Sequence, residues 1–346
     1  MSNIQQNKKK VAVVGSGPAG LTIASNLLNH GVEVDIYESF HMAGGVLIYG
    51  IPDSRLPKSI VNQEIDSMVL SKGGKIILNI KVGRDIQLSE LQTKYDAVYL
   101  AAGAGIPNKI GIKGEECDRV YSGHDYMARY KVPDAYPSES LIKLKQSKNV
   151  IILGAGNVAM DAARTATEAG AVSVNIVYRR SEKEMPAREH EVNDAKDMGA
   201  IFHFLHTPKQ ILHENGKVTG VEFAKTSLGE PDEKGRATFK EIPNSNFVMP
   251  CDTIIVCVGA GVDNQLTDNT GLALDSKGLV IIDENCKTNL DNVYAGGDLV
   301  TGNKIVPLAM GAGRKAAKCI LDRFGILANA MPKEMVQIMT CISPKK

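Results

Sequence analysis

Two stretches of the chain repeat one another. Val11-Ala-Val-Val14 runs straight into Gly15-Ser-Gly17-Pro-Ala-Gly20, and Val150-Ile-Ile-Leu153 runs into Gly154-Ala-Gly156-Asn-Val-Ala159. A short unbroken apolar run closed by glycines reads as a buried parallel strand turning into a helix. In the first copy Pro18 suits the opening helical turn, where a missing N–H is no loss. Leu21, Ala24, Leu27 and Leu28 follow at helical spacing, Gly31 ends the helix, and 32–37 returns as a strand. In the second copy the helix runs to Gly170 and 174–178 is the returning strand, with the interval from Gly154 to Gly170 equal to that from Gly15 to Gly31. Two βαβ units in one chain are an internal duplication, and each predicts a nucleotide site at its glycine turn.

The rest of the sequence fits around these units. At about 150 residues per domain, the 346 residues suggest two domains. With 43% hydrophobic and 23% charged residues the chain is an ordinary globule, not a disordered or collagenous one. A balance of 40 Lys+Arg against 39 Asp+Glu gives no footprint for nucleic acid. Lys8-Lys9-Lys10 before an uncharged stretch imitates a signal peptide, but Gly15, Gly17, Pro18 and Gly20 break its apolar core. No segment offers the roughly 18 continuous apolar residues of a membrane span. Further predicted elements are a helix over 58–72, strands over 75–78, 96–100, 200–205, 253–258, 279–282 and 293–295, helices near 189–198 and 307–324, and a hairpin turn at Asn215-Gly216. The polar stretch 227–240 reads as a solvated loop or a long hairpin tip. The last block has strand, turn and helix without a fingerprint of its own, so it completes the first domain. The expected architecture is α/β, with two Rossmann-like dinucleotide-binding domains: 1–120 and 279–346 forming one, and 121–278 inserted as the other.

The glycine turns differ where specificity is set. Glu38 stands 18 residues after Gly20, at the end of the second strand, where a carboxylate accepts hydrogen bonds from a ribose diol and repels a 2′-phosphate. With two extra residues in the second unit, Arg179 falls opposite Glu38, with Arg180 beside it and Arg188 a short loop further on. Guanidinium groups are bidentate donors to phosphate, so this pair favours NADPH over NADH, although NADH stays possible. A solvated basic turn is the plainer alternative. Ala159 replaces the third glycine, which the pattern permits. The six cysteines include no C-x-x-C pair, so neither a zinc or iron–sulfur site nor a thioredoxin-type dithiol is expected, and reduced thiols in the cytoplasm are. Cys251 and Cys257 read as core thiols on one face of a strand, and His41, His124 and His190 as surface or loop residues. Two nucleotide sites without a nucleophile or metal cluster point to chemistry carried by the cofactors, with a flavin as hydride acceptor and single-electron donor.

Five segments together carry a specific resemblance: Gly15 to Gly20; Gly44-Gly45-Val-Leu-Ile-Tyr-Gly50-Ile-Pro-Asp-Ser-Arg55-Leu-Pro57; Gly154 to Arg164; Tyr178-Arg-Arg-Ser-Glu-Lys-Glu-Met-Pro-Ala-Arg188; and Ala295-Gly-Gly-Asp298. The chain resembles, from about Lys10 to Phe324, the glutamate synthase small (beta) subunit family, whose relatives include the flavin–NADPH half of dihydropyrimidine dehydrogenase. The resemblance implies FAD in the split domain and NADPH or NADH in the inserted one. By matching position, Gly15, Gly17, Pro18, Ala19 and Gly20 would hold the FAD pyrophosphate and Glu38 the adenosine ribose. Gly45 and Arg55 would lie on the flavin side, Val82 at the adenine end, and Gly297 and Asp298 at the ribityl or pyrophosphate portion. Lys304, Ile305 and Val306 would approach the isoalloxazine. Gly154, Gly156 and Asn157 would form the second phosphate turn, and Arg179, Arg180 and Arg188 the 2′-phosphate cluster. No residue is expected to act as a catalytic acid or base, and no metal is expected.

The resemblance further implies a cytoplasmic oxidoreductase that takes hydride from NADPH and passes electrons to a partner subunit with iron–sulfur or flavin centres. Hydride transfer needs nicotinamide C4 within about 3.5 Å of flavin N5. Such subunits usually carry an amino-terminal cysteine-rich extension. This chain starts at the FAD strand, which keeps open the alternative of a free-standing oxidoreductase with a small or protein acceptor. The turn Gly259-Ala-Gly261-Val-Asp263-Asn264 lacks an expected proline. A disulfide reductase is disfavoured by the missing dithiol, and a flavin-binding regulatory scaffold is the non-catalytic rival.

Overall fold

The computed structural model describes residues 8–231, 236–302, 305–328 and 334–343. The first block is β1 (Lys10–Val14), α1 (Pro18–Asn29), β2 (Glu33–Tyr37), α2 (Val46–Tyr49), α3 (Lys58–Met68), β3 (Lys75–Ile77), α4 (Leu88–Lys94) and β4 (Ala97–Leu100). The helix expected over 58–72 stops at Met68. Leu70–Lys72 tightens into a 3₁₀ turn and Gly73, at φ +84, ends it in the left-handed region that glycine tolerates.

After a short strand β5 (Ile106–Pro107) the chain builds β6 (Val120–Ser122), α5 (Gly123–Lys131), α6 (Ser138–Lys145), β7 (Asn149–Leu153), α7 (Asn157–Glu168), β8 (Ser173–Tyr178), α8 (Glu189–Asp197) and β9 (Ile201–Phe204). Four antiparallel strands follow, β10 (His206–Glu214), β11 (Lys217–Pro231), β12 (Ala237–Glu241) and β13 (Phe247–Pro250), and then β14 (Thr253–Val256) rejoins the parallel sheet. After β15 (Ala260–Gly261) come α9 (Asn264–Thr267), β16 (Val293–Ala295), α10 (Asp298–Thr301), α11 (Val306–Arg323) and α12 (Val336–Ile342).

The chain divides into two compact units. One holds the residues up to Ile48, Asp53–Ile106 and those from Ala260; the other holds Tyr49–Pro52 and Pro107–Gly259. The sequence expects the crossings near 120 and 278, whereas the units change at 106/107 and 259/260. Packing explains the shift. Ile110, Ile112 and Cys117 lie against Ile211, Val221 and Phe223 of the second unit, while Leu266, Leu272 and Val280 sit in the core of the first with Leu88 and Leu91.

Each unit is centred on an all-parallel five-stranded sheet, ordered β16-β4-β1-β2-β3 in the first and β6-β14-β7-β8-β9 in the second. The glycine-turn strands β1 and β7 are central in both, and their runs Val11–Val13 and Val150–Ile152 are fully buried. Buried parallel strands have both faces covered, which is why they read as continuous apolar runs.

Two local expectations change, and of the two offered for 227–240, a solvated loop or a long hairpin tip, the hairpin is the one found. Residues 279–282 form no strand. Asp275 Oδ1 accepts from the N–H of Lys277 and of Leu279, closing a tight turn, and one isolated bridge joins Leu274 to Val280. The stretch 227–240 lies largely on the β11–β12 hairpin, whose ladder pairs Thr226 with Glu241 and Leu228 with Phe239. Cys251 packs into the core with Ile211 and Ile254, whereas Cys257 packs beside Ile255 and the α7 alanines, on the other face. Residue parity fails for this pair because β14 covers only Thr253–Val256, so Cys251 lies outside the strand.

Candidate cofactor-binding sites

In the first unit the three glycines do different work. Gly15 has φ +99, and a Cβ there would lie 2.5 Å from Ala101 O; a Cβ on Gly20 would lie 1.9 Å from Gly15 O. These two glycines let protein backbone approach protein backbone. A Cβ on Gly17 would meet nothing within 4 Å. Gly17 is also the N-cap of α1, with no side chain capping its first turn and no acid there. Open space before uncapped N–H groups and the positive end of a helix is what a pyrophosphate requires. Two other predicted glycines close on the same turn: a Cβ on Gly45 would lie 2.9 Å from Gly17 Cα, and one on Gly297 2.9 Å from Ala19 Cβ. Pro18 is the first residue of α1, and Asp298 is the first residue of α10.

Glu38 is 4% exposed at the end of β2. Its Oε2 accepts from Ser16 N–H at 2.9 Å and Ser16 Oγ at 2.5 Å, and its Oε1 from Phe40 N–H at 2.9 Å and Ser39 Oγ at 3.2 Å. Ser16 Oγ in turn accepts from Gly44 N–H at 3.0 Å. The carboxylate therefore ties the glycine turn to the 38–44 loop. Ser16 was not legible as a site residue, because the position between the glycines is unrestricted in the fingerprint. Val82 is buried and its side chain packs in the core with Leu88 and Leu266, which leaves only its main chain for ligand contact. Arg55 lies in the turn before α3, partly exposed. Ile305 is the extended N-cap of α11 and Val306 its first residue. Lys304 lies outside the described residues.

The second turn repeats the arrangement with other side chains. Gly154 has φ +127 and a Cβ there would lie 2.3 Å from Cys257 O, while one on Gly156 would meet only Pro186 Cγ at 3.8 Å. Gly156 caps α7 without a side-chain bond, and no acid occupies the first turn. Ala159 stands fully buried where the first unit has Gly20. Asn157 Oδ1 accepts from Arg188 N–H at 3.0 Å, and Ala155 O accepts from Ala187 N–H at 3.2 Å, so the arginine loop is stitched back to the phosphate turn. The loop itself is braced by Ser181, whose Oγ donates to Glu184 Oε2 at 2.5 Å, and by Tyr178 OH donating to Glu184 O at 2.8 Å.

Arg179 and Arg180 share an unforeseen neighbour. The guanidinium carbon of Arg179 lies 4.8 Å from the Phe239 ring centroid and that of Arg180 5.9 Å. Arg180 Nε donates to Ala237 O at 2.6 Å, and Thr226 Oγ1 donates to Arg179 O at 2.9 Å. Desolvation and the nearby charges of Arg180 and Arg236 push Arg179 below its ordinary range.

Other titratable groups fall outside these turns. His124 is partly buried on α5 rather than on the surface, and desolvation lowers its pKa. Burial pushes the Cys251 thiol up to about 12 and raises that of Cys257. Thiols held neutral on opposite faces of a sheet do not form a reactive dithiol. Among the described residues no cluster of His, Cys, Asp or Glu is arranged to hold a metal, and no helix is long and apolar enough to cross a membrane.

Residues 9–316 match the family described as pyridine nucleotide-disulphide oxidoreductase. The chain belongs to that family. Within it, the chain is 35% identical over 332 residues to the glutamate synthase [NADPH] small chain of Escherichia coli (strain K12), covering 93% of this chain and 70% of that one. It is 38% identical over 316 residues to the NADP(+)-dependent formate dehydrogenase subunit beta of Moorella thermoacetica, covering 90% of this chain and 43% of that protein's length. Among solved structures, Mycobacterium tuberculosis FprA in complex with NADPH superposes with a TM-score of 0.77 at 20% identity, over 97% of this chain and 90% of that one. That likeness shows a shared fold. The curated relatives place the chain with the glutamate synthase small subunits, as its motifs suggest, and with the pyridine-nucleotide oxidoreductases.

Proposed function

We propose that the chain is an electron-input oxidoreductase, with FAD held by the first unit and NADPH by the second, that delivers electrons to a redox partner subunit. One observation carries the reading: equivalent turns end in a buried carboxylate in one unit and in an arginine cluster in the other. An acid suits a bare ribose, and paired guanidinium forks suit a 2′-phosphorylated one. The names of the relatives, a glutamate synthase [NADPH] small chain and an NADP(+)-dependent dehydrogenase beta subunit, support the coenzyme and the subunit role.

FAD, when bound, supplies a centre that accepts a hydride and releases electrons singly. The chain's own residues do the rest. Gly15, Gly17 and Gly20 shape the space for a pyrophosphate, and Glu38 with Ser16 fixes that turn. Gly45 and Gly297 bring their loops against it. The start of α11 at Val306 carries no acid in its first turn, which leaves its positive dipole end available to negative charge. Gly154, Gly156 and Asn157 receive the second pyrophosphate, and Arg179, Arg180 and Arg188 the 2′-phosphate. We place the protein in the cytoplasm, where its six free cysteines stay reduced. The partner subunit carries iron–sulfur or flavin centres.

Anaerobic mixing with NADPH tests the reading. Flavin absorbance near its visible maximum should bleach within the mixing experiment, and NADH should act more weakly. A protein that binds no FAD, or keeps it oxidised under excess NADPH, is a scaffold or something else.

A further inference from the structure

Two of the six cysteines meet inside the first unit. Cys286 lies in the turn that leads to β16, and Cys319 lies on α11. The turn is fixed by its main chain: Asp283 Oδ1 accepts from the N–H of Asn285 and of Lys287, Asp283 O accepts from Cys286 N–H at 3.1 Å, and Cys286 O accepts from Ala295 N–H at 3.0 Å. Cys286 itself has φ +62, in the left-handed region that a residue other than Gly, Asn or Asp seldom enters. It is 3% exposed. The backbone thus holds this thiol inside the protein at a position where glycine or asparagine would cost less.

Helix α11 brings the second thiol to it. The helix lies along β16: a Cβ on Gly296 would stand 3.4 Å from Ala312 Cβ, and Arg323 Nη1 is 3.5 Å from Tyr294 OH. Cys319 falls between those contacts, seven residues after Ala312 and four before Arg323, which puts all three on one side of the helix. The two thiols are within hydrogen-bonding reach of each other, and the charges of Lys315 and Asp283 act on the same Cys286 sulfur. The Tyr99 phenol lies close enough to feel that sulfur too. Burial and the neighbouring thiol push Cys286 up to about 11, whereas Cys319 is partly exposed, one turn after Lys315. Cys251 and Cys257 are near in sequence and on opposite faces; this pair is distant in sequence and adjacent in space.

We propose that Cys286 and Cys319 are a peroxide-oxidisable thiol pair that closes into a reversible disulfide between α11 and the turn before β16. The fold alone brings the pair together, independently of the cofactor reading above. Cys319, the more accessible sulfur, attacks one oxygen of hydrogen peroxide as its thiolate. An S–O bond forms, the O–O bond breaks, and the departing hydroxide takes up the proton that the thiol released and leaves as water. The Cys286 sulfur then attacks the sulfenic acid: the S–S bond forms, the S–O bond breaks, and the Cys286 proton leaves with that hydroxide as a second water. Each sulfur gives up one electron and each peroxide oxygen gains one. A bridge made only under oxidant is the kind that a reducing compartment allows.

Titration of the full chain with hydrogen peroxide, followed by iodoacetamide in denaturant and peptide mapping by mass spectrometry, tests the pair. Cys117 and Cys341, also partly exposed, are the internal references. The peptides holding Cys286 and Cys319 should disappear together and return as one linked species, lighter than their sum by two hydrogen atoms, and dithiothreitol should restore both. C319S should slow the loss of the Cys286 thiol about tenfold or more, because it removes the intramolecular partner. C286S should leave Cys319 as a sulfenic acid that dimedone captures. A linked species still missing when half of Cys117 or Cys341 is oxidised would overturn the pair, as would links from Cys286 or Cys319 to any other cysteine. That mapping needs no substitution, so it decides the pair whether or not a variant folds. Loss of the Cys286 thiol in C319S at the wild-type rate would overturn Cys319 as the attacking sulfur.

Discussion

The two glycine turns of this chain solve one steric problem and two chemical ones. In both, the first glycine has positive φ and lies where a Cβ would strike the backbone of the neighbouring strand's end, Ala101 O in one unit and Cys257 O in the other. In both, its N–H donates to the last residue or last but one of the next strand, Gly15 to Tyr37 O at 2.8 Å and Gly154 to Val177 O at 3.0 Å. The third position separates them. Gly20 is crowded by Gly15 O, but Ala159 fits its place fully buried. At the end of the second strand, a carboxylate bonded into its own turn faces an arginine pair resting on an aromatic ring. Backbone geometry is therefore held common while the side chains at the end of the second strand diverge.

Steric asymmetry at the third position gives the largest expected effect. Gly20→Ala should destabilise the protein by about 3 kcal/mol or more, because a methyl cannot fit 1.9 Å from a backbone oxygen. Ala159→Gly should cost only about 1 kcal/mol through helix propensity. Urea unfolding of both checks this, and equal losses would mean the two turns are not packed differently. Next is Arg179→Ala with Arg180→Ala, which should weaken NADPH at least tenfold, each charged hydrogen bond being worth about 1.5–3 kcal/mol, and NADH little. Equal losses measured by binding titration would break the chemical contrast between the units. Glu38→Ala strands the buried N–H of Ser16, at roughly 1–3 kcal/mol, and should loosen FAD retention on gel filtration while sparing 2′,5′-ADP.

The smallest effect is a pH dependence near neutrality carried by histidines of the second unit. His124, His203 and His206 all have pKa values lowered by desolvation. A base depressed in the folded state binds fewer protons there than in the unfolded chain, so stability is full above the unfolded value near 6.5 and is lost as pH falls below it. Urea midpoints at pH 7.5 and 5.5 should show the loss, and His124→Gln should reduce it.

Much of this was legible from sequence, for identifiable reasons. The strands β1, β2, β7 and β8, the helices α1 and α7, and the glycines between them follow from local pattern, because their steric demands act within one βαβ unit. The contrast between Glu38 and Arg179 was readable by counting from the turns. Phe239 was not: it sits in a stretch whose polarity suggested a solvated loop or a long hairpin tip, and its partners are distant in sequence. The face taken by Cys251 was misread because parity holds only inside a strand, and 251 lies just outside one. The crossings were misplaced because 107–119 and 264–282 carry no strong local pattern and are assigned by what they pack against.

Sequence alone determined that the chain holds two dinucleotide turns, one inserted within the other's domain, with a carboxylate after the second strand of one and arginines after that of the other. These properties are written in spacing and residue type, which act over a few neighbouring residues. Tertiary structure decided which groups complete each turn: Ser16 and Gly44 bonded through to Glu38, Asn157 holding the Arg188 loop, and Phe239 beneath the arginines. Such partners are chosen by distance in space, and a side chain's reach of a few ångströms leaves no periodic trace along the chain.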